Sequence, residues 1–74
     1  MMTDDIRTIN EQKIRESFSK NMELHLVKTN GEWRNGTILE VSADFFLFED
    51  FVNGKEAIFF SELVKVKPYM EDEA

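Results

Sequence analysis

The chain contains no cysteine, one proline and one histidine among its 74 residues. Without cysteine, neither disulfides nor cysteine-ligated zinc can stabilise a domain of this size. No apolar run approaches the ~20 residues that a bilayer-spanning helix needs, and the N-terminus lacks the apolar core of a signal peptide. These absences predict a single cytoplasmic domain that does not enter a membrane and gains stability by associating with copies of itself.

Basic residues are also scarce. The chain has nine lysines and arginines and 15 aspartates and glutamates, which gives a net charge of −6. This charge disfavours nonspecific binding to nucleic acid, because such binding depends on neutralising phosphates. The acids concentrate at the ends, since residues 10–68 hold ten acids and eight bases. We therefore predict a flexible N-terminal segment over residues 1–9, a folded domain over 10–68 and an acidic tail over 69–74.

The residue types that enzymes use for chemistry do not form a recognisable set. The sequence offers no cysteine nucleophile, no Ser-His-Asp arrangement and no phosphate-cradling glycine loop. Glu49 and Asp50 are adjacent acids, but neighbouring strand residues point to opposite faces and do not converge. His25 alone cannot hold a metal ion. We predict a non-enzyme with no cofactor, no metal and no small-molecule substrate.

Two Asn-Gly pairs, Asn30-Gly31 and Asn53-Gly54, separate strand-like runs. Asn-Gly between such runs is a strong hairpin signal, since both residue types accept a positive φ. Gly36 falls inside the following run, where a glycine indicates a bulge or a sharp bend. The alternation of apolar and polar residues predicts strands over residues 22–29, 32–42, 44–51, 56–60 and 63–67.

Ahead of the strands, the sequence has the signals that begin a helix. Asn10 is a typical N-cap, Glu11 suits the first turn, and Ile9 and Ile14 have the spacing of a hydrophobic staple. A short helix over about residues 11–20 is too short to be stable alone, so we expect it to dock across an open end of the sheet. The predicted fold is mainly β, with an N-terminal α-helix followed by a five-stranded, strongly bent antiparallel barrel.

The third and fourth predicted strands are apolar at nearly every position, for example at residues 45–48 and 57–60. Continuous apolar character indicates that both faces of a strand are covered. A crowded core under the helix would explain this, but we favour edge-to-edge pairing between identical chains. The candidate interface residues are Ile58, Phe59, Phe60, Val64 and Val66.

The glycine pattern resembles that of a known family. Gly31 and Gly36, followed by Thr37 and Ile38, resemble the first motif of the Sm-like (LSm) proteins. The run Leu26-Val27-Lys28-Thr29-Asn30-Gly31 is especially similar to the first strand and turn of the Hfq-like branch. The run Ile58-Phe59-Phe60-Ser61-Glu62-Leu63 occupies the place of the family's second motif. The resemblance covers about residues 10–68 and implies an SH3-like barrel. It also implies homo-oligomeric rings of about five to seven subunits, in which strand four pairs with strand five of the next chain.

The resemblance further implies RNA binding around the pore or across one face of the ring. This chain has different residues from the family at most of the RNA-reading positions, but aromatic rings can stack bases and short polar groups can hydrogen-bond their edges. The competing interpretation puts the phenylalanines in the core or at an interface, and leaves the arginine in solvent. The candidate RNA-binding residues are Ser42, Asp44, Phe45, Phe46, Phe60, Ser61 and Arg34.

Three functions are compatible with these patterns. The first is a ring-forming Sm-like protein that binds RNA or organises a ribonucleoprotein. The second is an oligomeric protein–protein scaffold that keeps the Sm-like fold without binding RNA. The third is a monomeric docking module, since similar strands with the same glycine pattern occur in the C-terminal domain of RimP-type ribosome-maturation factors.

Overall fold

A computed structural model describes the backbone of residues 2–69 and the side chains of residues 7–69. One helix precedes five strands, as predicted. A 3₁₀ turn, Phe60–Glu62, joins the last two strands. The elements are α1 (Met2–Ser19), β1 (Glu23–Lys28), β2 (Trp33–Val41), β3 (Phe45–Asp50), β4 (Gly54–Phe59) and β5 (Leu63–Pro68). Apart from Tyr69, the predicted acidic tail lies outside the described residues.

All strand pairs are antiparallel, and the strand order in the sheet is β4-β3-β2-β1-β5. The predicted mainly β fold with five antiparallel strands is therefore confirmed. The sheet is not closed, because in the described residues β4 pairs only with β3 and β5 pairs only with β1. The sheet is open in the described residues, whereas the sequence predicted a strongly bent five-stranded barrel.

The open sheet is nevertheless strongly curved. Lys28 of β1 and Glu56 of β4 are three positions apart in the strand order, which corresponds to about 14 Å in a flat sheet. Their charged atoms, Nζ and Oε2, are 3.6 Å apart. The sheet therefore curls until β4 approaches the β1–β2 hairpin, and the ion pair holds the two parts together.

Gly36 allows two strands to approach closely, but it is not the site of the bulge. In the sheet it lies between Leu24 of β1 and Asp50 of β3, in regular register with both. The register shifts between Ile38 and Glu40, further along β2. Of the two predicted alternatives, a bulge or a sharp bend, the bulge is not at Gly36, whereas the place of Gly36 inside β2 was predicted correctly.

The helix begins earlier than predicted. It starts at Met2, so Asn10 is an interior residue and not the N-cap, and residues 2–9 belong to the helix. Asn10, Ile14 and Ser17 form its buried face, with the spacing of one side of a helix. The Nδ2 group of Asn10 donates to the carbonyl oxygens of Leu63 (3.4 Å) and Val64 (3.3 Å), which ties α1 to β5.

The core lies inside the curl of the sheet, with α1 against one side. The aromatic run of β3 contributes to it by alternation, since Phe46 and Phe48 are fully buried while Phe45 and Leu47, which alternate with them, are only partly buried. The core residues are Ile14, Leu24, Leu26, Ile38, Phe46, Phe48, Ile58, Phe60, Leu63 and Val66.

No helix in the described part of the chain is both long enough and apolar enough to cross a membrane.

Candidate functional site

Most of the predicted RNA-binding residues meet at the turn between β2 and β3. The backbone N–H of Ser42 donates to the carbonyl oxygen of Phe45 at 2.8 Å, which closes this turn. The N–H of Phe60 donates to the carbonyl oxygen of Asp44 at 3.0 Å and so places the 3₁₀ turn beside it. Ser61 follows Phe60 and is exposed. We call Ser42, Asp44, Phe45 and Ser61 the turn cluster.

The helix adds two guanidinium groups to the turn cluster. Nη2 of Arg15 donates to the carbonyl oxygen of Ser42 at 3.1 Å and to Oε2 of Glu11 at 2.9 Å. Nη2 of Arg7 lies 3.6 Å from Oδ1 of Asp44. The predicted RNA-binding residues did not include these two arginines. The predicted helix began after Arg7, and no local pattern places a helix beside a distant turn.

Two of the candidate aromatic residues are not available for base stacking. Phe46 and Phe60 are fully buried and pack against each other, with ring centroids 5.5 Å apart. Phe45 is only partly buried and packs on Phe59 of β4, with ring centroids 5.6 Å apart. The aromatic surface near the turn cluster therefore belongs to Phe45 and Phe59.

Arg34 does not join the turn cluster. It lies in β2, eight residues before Ser42. Its guanidinium group is hydrogen-bonded to two carboxylates. Nε donates to Oε1 of Glu56 and Nη2 donates to Oε1 of Glu32, both at 2.9 Å. The hydrogen bond to Glu56 raises the pKa of Arg34, and the bond from Arg34 lowers the pKa of Glu32. Its charge is balanced within the protein, so Arg34 is poorly placed to bind a phosphate.

The candidate interface residues divide into an inner and an outer set. Ile58, Phe60 and Val66 are buried in the core of the single chain. Phe59 of β4 and Val64 of β5 are 47% and 52% exposed. These two side chains therefore lie on the outside of the two edge strands, where another chain could cover them.

The turn between β3 and β4 is organised by a buried carboxylate. Asp50 accepts backbone N–H groups from Asn53 (2.8 Å), Val52 (2.9 Å) and Asn35 (3.2 Å). Burial by itself raises the pKa of Asp50, but the three donors outweigh this effect and hold the pKa below its ordinary value. Sequence reasoning treated Asp50 only as half of an acidic pair, and its place just before an Asn-Gly turn was the usable signal.

We expect Asp50→Asn to destabilise the protein at neutral pH by about 1.5–3 kcal/mol, because hydrogen bonds to a charged acceptor are lost. Since the pKa of Asp50 is lower in the folded state, the ionised carboxylate stabilises the fold above the pKa that it has in the unfolded chain. This stabilisation is lost as the pH falls through the folded value. In urea unfolding, the difference in the free energy of unfolding between wild type and variant should therefore narrow below about pH 4. A difference that stays constant down to acid pH would contradict this role.

Within the described part of the chain, no group of three His, Asp or Glu side chains is arranged to hold a metal ion. No protein-family model matches the sequence, and a search of curated proteins found no match.

Proposed function

We propose that the chain is an Sm-like protein that assembles into a homo-oligomeric ring, binds single-stranded RNA and so organises a ribonucleoprotein. The observation that carries this proposal is that β4 and β5, the two edge strands of the sheet, each have one edge without a partner strand in the described residues. They also expose Phe59 and Val64. Unpaired edges are templates for pairing with another chain. If β4 of one copy pairs with β5 of the next, both edges are satisfied and repetition closes a ring.

The turn cluster supports RNA as the ligand. A base can stack on Phe45, and its edges can hydrogen-bond with Ser61 and Asp44. Arg7 and Arg15 of α1 lie at the same place, each paired with one carboxylate, Asp44 and Glu11 respectively. Their side chains stay 44% and 46% exposed, against 19% for the doubly paired Arg34, so they are the more accessible to a phosphate. A ring repeats this arrangement in every subunit, so contacts that are weak singly combine into useful avidity.

A protein–protein scaffold with the same assembly is the second candidate. The net charge of −6 and the enclosure of Arg34 by two carboxylates favour it, because both reduce attraction for phosphates. The two functions share the edge pairing and differ only in whether the turn cluster contacts RNA.

We expect Phe45→Ala to weaken binding of a short single-stranded RNA about 5- to 100-fold, since one stacked base is worth about 1–3 kcal/mol. Fluorescence anisotropy with a labelled oligouridine at low and at moderate salt would measure the affinity. The residual binding should fall further with added salt, because the arginine contacts are electrostatic.

Phe51→Ala is the matched control, since Phe51 is a half-exposed aromatic residue on a different turn. It should leave RNA affinity unchanged. Equal losses in both variants would remove the turn cluster as the RNA site. A wild-type protein that forms rings without binding RNA would favour the scaffold.

A further inference from the structure

A groove of about 530 Å³ lies where the β1–β2 hairpin, the β3–β4 turn and the residue after β5 meet. Trp33, Phe51 and Tyr69 line it from three separate segments. They are 60%, 49% and 41% exposed, although aromatic side chains of this size usually bury most of their surface. We call this the aromatic groove, and it shares no residue with the turn cluster.

Ring–ring contacts fix the positions of the aromatic side chains that line the aromatic groove. Phe51 and Tyr69 pack edge to face, with centroids 5.3 Å apart and planes at 75°. His25 stacks on Trp33 with centroids 5.9 Å apart, and its Nδ1 lies 2.6 Å from Oδ1 of Asn35. Each exposed ring therefore has a partner that fixes its position before any ligand arrives.

The backbone around the aromatic groove is fixed as well. Asp50 holds the β3–β4 turn through its three N–H contacts. The N–H of Phe51 donates to the carbonyl oxygen of Asn35 at 2.8 Å, which joins this turn to β2. A preformed groove loses little conformational entropy on binding, so even a short ligand can be held.

The charge of the aromatic groove selects the kind of ligand. Its charged lining residues are Glu32, Arg34 and Asp50. Arg34 is already paired with Glu32 and with Glu56, so the local balance is negative. Such a site attracts a cationic group and repels phosphate, which favours a basic peptide over a nucleic acid.

The polar groups of the aromatic rings suit an extended proline-rich chain. Neither the indole N–H of Trp33 nor the hydroxyl of Tyr69 is engaged in a hydrogen bond within the described residues. A polyproline II helix has no internal hydrogen bonds, and its carbonyl oxygens accept such donors. Its proline rings pack between aromatic side chains, and it loses little entropy because it is already extended.

We propose that the aromatic groove binds a proline-rich segment of a partner protein that carries lysine or arginine beside its prolines. The charge complementarity and the preformed aromatic walls carry this inference. It depends neither on RNA binding nor on ring formation. If both proposals hold, each subunit offers a peptide site and an RNA site on separate turns.

Trp33 is the only tryptophan, so its fluorescence reports directly on the aromatic groove. We would titrate the wild-type protein with a short polyproline peptide bearing a terminal arginine. A saturable change in Trp33 emission is expected, and a peptide with glutamate in place of the arginine should bind more weakly. The absence of any response from the folded protein, or an equal response to a peptide of the same length without proline, would overturn the proposal.

Tyr69→Ala keeps the reporter and should weaken peptide binding on the order of tenfold or more. Phe51→Ala is a second variant with the same expectation, and circular dichroism would verify that both fold. Leu39→Ala removes an exposed apolar side chain outside the aromatic groove, the turn cluster and the proposed interface, and it should bind like wild type. A Trp33 response to oligouridine but not to the proline peptide would assign the groove to nucleic acid and contradict the proposal.

Discussion

Replacing Gly36 with alanine should cost about 3 kcal/mol or more of folding free energy, a severe loss for a domain of this size. A Cβ at this position would overlap the carbonyl oxygen of Glu49. It would also lie 2.8 Å from the carbonyl carbon of Glu49 and 2.9 Å from Cα of Asp50. These are backbone atoms of the adjacent strand, so they can move only if the β2–β3 pairing opens. Thermal melting should show a fall of more than about 10 °C.

Gly31→Asn is the matched control for this substitution. Gly31 has a φ of +89° but no atom within 4 Å of the position a Cβ would take, and asparagine tolerates the left-handed region. We expect it to lower stability by less than about 1 kcal/mol. If the two glycine variants melted at the same temperature, the close approach of β2 and β3 at Gly36 would not be the reason for glycine there.

If the chain assembles through β4 and β5 as proposed, Phe59→Asp should give a monomer without unfolding it. Phe59 is half exposed on edge strand β4, so an aspartate there costs the single chain little beyond its contact with Phe45. In an edge-paired assembly, the same carboxylate would be buried without a partner, at a cost of several kcal/mol for each interface. Size-exclusion chromatography with light scattering would measure the mass, and circular dichroism would verify the fold.

Val52→Asp controls for the added charge. Val52 is 88% exposed and lies on the β3–β4 turn, at the opposite end of β4 from Phe59. The variant should keep the wild-type mass. An unchanged mass for Phe59→Asp, or dissociation of both variants, would show that β4 is not the interface.

Local sequence patterns were sufficient to predict the strands and both Asn-Gly turns. Gly31 and Gly54 take positive φ values as expected, whereas Asn30 and Asn53 do not. The same local reasoning failed at Asn10, whose amide bonds to β5 from the interior of the helix rather than capping its start. An N-cap and a buried tertiary contact can look identical in sequence when the partner is more than 50 residues away.

The candidate site was harder to predict for a related reason. A run such as Phe45-Phe46-Leu47-Phe48 does not say which alternate residues face the core, and the structure buries Phe46 while leaving Phe45 partly accessible. The register shift in β2 between Ile38 and Glu40 changes which side chains share a face, and nothing in the sequence marks it clearly. The aromatic groove likewise joins three distant segments, so only the folded chain brings them together.

Native mass spectrometry of the wild-type chain, alone and mixed with a pool of short single-stranded RNAs, tests the central claim most directly. We predict one closed oligomer of about five to seven subunits, and an added mass of RNA when the pool is present. A bare ring that carries no RNA would retain the edge pairing and favour the protein scaffold. A monomer at every protein concentration would contradict the assembly through β4 and β5 on which the proposed function depends.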